Sequence, residues 1–201
     1  MTFATKKSVA AILPYAVWMA MMMLLPPTPE CYAARTGVTL ALLAPCLFYL
    51  LRHQSSIHRN SRLAPEFFWG LAVGALVFAL WVWPEQFAWY RRWCVLGEGG
   101  TTAVDVSSPE LKLLRLFGSA FVISVAEELF FRRWLLRFAG FWWMTALFAL
   151  EHDRWLVGAV AGALYGYLAL RKGFASAVFA HVTTNLALGI YVLETGSWQF
   201  W

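Results

Sequence analysis

Polar residues do not alternate with apolar ones along most of this chain; the apolar residues run on. Stretches approaching the roughly 20 apolar residues needed to cross a bilayer lie at about 9–25, 36–51, 67–83, 111–131, 134–151, 156–170 and 174–193. They are separated by "PPTPE", by a basic linker at 52–66, by a Trp- and Gly-rich connection at 84–110, and by short breaks near Gly140, Asp153 and Gly173. No internal repeat or low-complexity tract interrupts them. The pattern predicts an all-α, polytopic transmembrane bundle of about seven helices, with eight as the alternative, in a single domain over residues 1–201.

Composition supports this reading. Of 201 residues, 61% are hydrophobic, 17% aromatic and 13% charged, and the mean hydropathy is +0.60, too apolar for a water-soluble domain of this size. The net charge of +5 raises nucleic acid as a partner, but the basic residues sit in short clusters between apolar stretches, which topology explains and nucleic-acid binding does not. With the N-terminus inside, the inner side holds Lys6, Lys7, Arg52, Arg59, Arg62, Arg132, Arg133, Arg137, Arg171 and Lys172, and the outer side Arg35, Arg91, Arg92, Lys112, Arg115 and Arg154. That bias predicts a multi-pass protein of the cell's inner (plasma) membrane, N-terminus in and C-terminus out. Trp81, Trp83, Trp89, Trp93, Trp198 and Trp201 then fall near the outer interface, where amphipathic rings prefer to sit.

Three smaller features change little. Lys6 and Lys7 before an apolar run, with "ECYAA" after it, outline a signal peptide, while Pro14 and the bulky run around Trp18 fit an uncleaved anchor equally well. Cys31, Cys46 and Cys94 share no metal-ligand or redox spacing. Gly158, Gly162 and Gly166 repeat every four residues and give the sixth helix a flat packing strip.

The candidate chemistry lies in the polar residues that interrupt the last four apolar stretches. An ionisable side chain in hydrocarbon costs a few kcal/mol or more, so each is a functional hypothesis with a partner to be named. In "EELFFR", Glu128 and Arg132 are four apart and share a helix face in the favourable acid-before-base order. Glu127 is rotated about 100° from Glu128, which leaves it available for other work. His181 and Asn185 in "HVTTN", and Phe148 and His152 in "FALEH", repeat the spacing of four. Glu127 lies thirteen residues before Gly140 and His152 twelve after it, so a helical hairpin turning there sets them at matching heights. One tension remains: a sixth helix over 156–170 lifts His152 above His181, which predicts that the connection from Glu151 to Trp155 dips into the membrane and lines a water-filled cavity.

These three stretches, 127–132, 148–152 and 181–185, resemble the CPBP family, which includes CAAX prenyl endopeptidases and bacteriocin-processing or self-immunity proteins and is also called Abi. The resemblance covers about residues 111–193; the first three helices match only in being apolar. The small size is also similar to bacterial members associated with exosortase systems. The resemblance implies an intramembrane, metal-independent glutamic endopeptidase without a cofactor. It implies that Glu127 is general base on a water also held by His152, that Glu128 and Arg132 form a supporting pair, and that His181 and Asn185 donate to the oxyanion. The implied partners are membrane lipid and a peptide or lipidated-protein substrate. A prenylated C-terminal peptide, a leader peptide and a sorting-signal tail all stay open as that substrate, because no residue outside the trio specifies an isoprenoid pocket.

Three rival readings stand beside it. Two His and two Glu suit zinc in principle, although they come from three helices without HExxH. A non-catalytic scaffold or immunity protein would keep the same polar pocket for folding or partner binding. A transporter needs polar groups leading to both faces, and the first three helices carry almost none.

Overall fold

The computed structural model describes residues 3–53, 63–96 and 107–200, and among these all regular structure is helical. Arg59 and Arg62 of the expected inner set, and Trp201, lie outside the described residues. Helix α1 is Phe3–Leu24 and α2 is Pro29–Arg52. Thr28 caps α2, its hydroxyl accepting from Cys31 N at 3.3 Å, with Pro29 following at the first helical position. Helix α3 is Leu63–Val82, followed by a 3₁₀ turn Trp83–Gln86 and the short α4, Ala88–Cys94.

Ser108 starts the next helix by accepting from Leu111 N at 3.3 Å. It passes through Pro109–Phe117, a π-helical stretch Gly118–Val122, Ile123–Glu128 and a second π stretch Leu129–Leu135, and enters Leu136–Leu150. That last segment is broken at Gly140, whose φ of 82° and ψ of 175° belong to glycine alone. We therefore treat 109–139 as one helix, α5, and 141–150 as α6. The chain turns at Gly140, where the break was expected, and the apolar stretch beginning at 134 starts inside α5. Helix α7 is Trp155–Arg171 and α8 is Phe174–Thr195, joined at Gly173, where φ is 112°.

Among the described residues there are thus seven long helices. Four of them, over Ala4–Leu24, Pro29–Arg52, Pro65–Gln86 and Phe174–Thr195, are long and apolar enough to cross a membrane. Helix α5 is the hub. On one side its Ile123, Ala126 and Leu129 pack with Ala11 and Trp18 of α1 and with Tyr32 of α2. On the other, Phe131 and Leu135 join Val77, Phe148, Ala161, Tyr165 and Ala177 from α3, α6, α7 and α8. The glycine strip of α7 faces α6, with Phe148 against Gly162 and Met144 against Gly166.

A second glycine pair, Gly70 and Gly74 on α3, brings that helix against α8. A Cβ at Gly74 would lie 2.6 Å from both Ala180 O and Thr183 Cβ, and the Gly74 carbonyl lies 3.0 Å from Thr184 Oγ1. Gly74→Val is therefore expected to destabilise the fold by about 1–3 kcal/mol through overpacking, read as an earlier thermal transition of the purified protein. An unchanged transition would show that α3 and α8 are not so closely apposed.

Candidate active site

The site is assembled on α5 between its two π-helical stretches, an irregularity that recurs at functional sites. Glu127 and Glu128 end the intervening α-helical segment, and Arg132 falls within the second π stretch. Arg132 Nη1 lies 3.0 Å from Glu128 Oε1, and neither side chain is exposed. The guanidinium also sits 4.4 Å over the Phe148 ring and 5.5 Å over Tyr165, and Nη2 donates to the Gly162 carbonyl at 3.5 Å. Aromatic faces and a carbonyl thus surround a cation with no exposed surface.

His181 of α8 comes between the two carboxylates. Its Nδ1 lies 2.9 Å from Glu128 Oε1 and its Nε2 lies 3.5 Å from Glu127 Oε2. The imidazole stacks on Tyr165 with centroids 5.1 Å apart, and Tyr165 Oη donates to Thr184 Oγ1 at 2.6 Å. Glu127 is rotated from Glu128 as the helix period requires, yet both reach the same ring because His181 lies in the angle between them. Glu127 Oε2, Glu128 Oε2 and Arg132 Nε have no hydrogen-bond partner among the described residues.

The remaining expected site residues stand nearby with other contacts. His152 Nδ1 bonds the Phe148 carbonyl at 2.8 Å, and its ring packs on Phe148 and Trp81 at 4.7 and 5.3 Å. Phe148 in turn lies 5.7 Å from the His181 ring, so one phenyl ring packs on both histidines. Asn185 Nδ2 donates to Ser124 Oγ at 2.9 Å and to Ser119 O at 3.1 Å. It is one helical turn along α8 from His181 and ties that helix to the first π stretch.

Sequence reasoning missed the contribution of α1. Tyr15, near the middle of that helix, donates to Glu151 Oε1 at 2.5 Å and stacks on Phe130 at 4.6 Å; Glu151 is an electrostatic neighbour of Glu127. The turn after α6 thus stands beside the middle of α1. The only signal in the sequence was a lone tyrosine in an apolar run. Arg154 is a tie: its Nε meets Glu85 Oε1 at 2.6 Å, Nη1 donates to Gln199 O at 2.9 Å, and the guanidinium lies 4.6 Å over Phe200.

Apolar helices closed around a buried cluster of two glutamates, an arginine and a histidine define a membrane protein with a polar site inside its helical body. Residues 109–187 match the family model described as type II CAAX prenyl endopeptidase Rce1-like. That span runs from the start of α5 into α8 and holds all three motifs, so this part of the chain is similar to type II CAAX prenyl endopeptidases. No curated protein and no solved structure matches the chain.

Proposed function

We propose that the protein is a glutamate-dependent intramembrane endopeptidase that hydrolyses a peptide bond near the end of a membrane-associated or lipidated peptide. The observation that carries this reading is His181 held between Glu127 and the buried Glu128–Arg132 pair. Arg132 holds Glu128 in place, Glu128 accepts from His181 Nδ1, and Nε2 is thereby aimed at Glu127. A buried polar atom left unpaired costs about 1–3 kcal/mol, so the open oxygens of Glu127 and Glu128 favour taking up a water molecule.

In the proposed reaction Glu127 removes a proton from that water, with His152 as its second holder. The hydroxide oxygen bonds to the scissile carbonyl carbon, and the carbonyl electron pair moves onto oxygen. Collapse breaks the C–N bond, and Glu127 returns the proton to the departing amine. An oxyanion donor is worth roughly 3–4 kcal/mol in such a step. Of the two that the family resemblance implies, His181 faces the cluster, whereas Asn185 must give up its bond to Ser119 or Ser124 to serve. Metal independence rests on the donor set: Glu128 and His181 already engage each other and Arg132. The same reading keeps the N-terminus inside, by the Lys and Arg bias.

The test uses purified protein in lipid nanodiscs, a membrane-peptide pool from cells lacking it, and heavy-oxygen water. New peptide C-termini carrying the heavy oxygen are expected, at a rate unaffected by a strong zinc chelator. Loss of cleavage with the chelator would make the site a metal centre, and no new termini would leave it a scaffold.

A further inference from the structure

A second polar site lies at the end of the bundle where α1 begins and α2 and α5 end. A cavity of about 540 Å³ opens there, lined by Lys7, His53, Arg133 and Arg137 and by the aromatic rings of Trp134 and Phe138. Its volume falls in the range of small-molecule sites, roughly 300–1,000 Å³. Its α1 and α2 walls lie outside the Rce1-like match, and on α5 it begins six residues beyond Glu127, roughly 9 Å along the helix.

Three cations converge on this space from two helices. Lys7 Nζ donates to the His53 carbonyl at 2.9 Å, which pins the ammonium at the wall and caps the C-terminus of α2. Arg133 is held with its guanidinium 4.5 Å over the Phe174 ring. Arg137 follows one turn later on α5, a like-charge spacing that disfavours an isolated helix and that a bound anion would offset.

The aromatic side of the cavity says what kind of anion fits. Trp134 and Phe138 are stacked, with centroids 5.2 Å apart and planes 8° from parallel. Phe138 is 76% exposed on the outside of the bundle, as are Trp142 at 79% and Trp143 at 70%. A soluble anion uses the cations and ignores this apolar strip; an amphiphile uses both. Basic pockets between membrane helices bind anionic headgroups on this basis. We propose that the cavity holds the phosphodiester of an anionic phospholipid, with its acyl chains lying along Trp134 and Phe138. The site is independent of the proteolytic reading and survives if that reading fails.

The test is titration of the purified full-length protein in phosphatidylcholine nanodiscs with phosphatidylglycerol, counting retained lipid by native mass spectrometry. Arg137 is exposed, so Arg137→Gln is expected to fold normally and to weaken retention about fivefold, and Lys7→Gln with Arg137→Gln about twenty-five-fold. Arg92→Gln, on α4, is expected to change nothing. Equal retention by wild type and the double variant, or retention of phosphatidylcholine as strong as that of phosphatidylglycerol, would overturn the proposal. Displacement of the lipid by inorganic phosphate would assign the site to a free anion and overturn it as well.

Discussion

Glu127→Gln is expected to slow peptide-bond hydrolysis by about 10²–10⁴-fold, the usual contribution of a positioned general base, without unfolding the protein. The amide is nearly isosteric and keeps an oxygen to face His181 Nε2, 3.5 Å from the carboxylate in the native site, but it takes no proton from water. Single-turnover cleavage in nanodiscs gives the rate, and a thermal scan of the same preparation is expected to agree with wild type within about 2 °C, less than 1 kcal/mol for a chain of this size. A scaffold that uses the pocket only for folding shows no cleavage in either form and tolerates the change in the thermal scan.

Arg132→Gln is expected to have the largest effect on stability. It removes the guanidinium 3.0 Å from Glu128 where neither side chain reaches solvent, leaving a carboxylate with only the His181 ring. Breaking a buried pair from one side costs roughly 3–5 kcal/mol, a fall in the midpoint of thermal unfolding of roughly 10 °C. Glu128→Gln combined with Arg132→Gln removes both charges and is expected to recover a large part of that loss. If the double variant is no more stable than the single one, the role assigned to the pair is wrong.

The division of the chain into helices was legible because hydrocarbon imposes long apolar runs, and Gly140 and Gly173 marked two turns that the backbone makes with positive φ. The contact of Glu128 with Arg132 was legible too, since both lie on one helix at a spacing of four. What joined the glutamates to His181 was not, because the distance between α5 and α8 depends on how both pack with α3 and α7. The role of Tyr15 was further out of reach. Its partner Glu151 is 136 residues away, and Glu151 ends a helical pattern, where a charge reads as a loop residue. The π stretches that flank Glu127 and Glu128 left no mark in the apolar periodicity, and they place Ser119 O where Asn185 and Ser124 converge on it. Asn185 was expected to share one task with His181; in the structure they face different parts of α5.

The central claim is that Glu127 performs chemistry on a peptide held in the membrane. Mass spectrometry of peptide termini in membranes from cells carrying wild type or Glu127→Gln, at matched protein levels, tests it most directly. At least one membrane-protein terminus present with wild type and absent with Glu127→Gln is the predicted result; identical sets of termini from the two would contradict it.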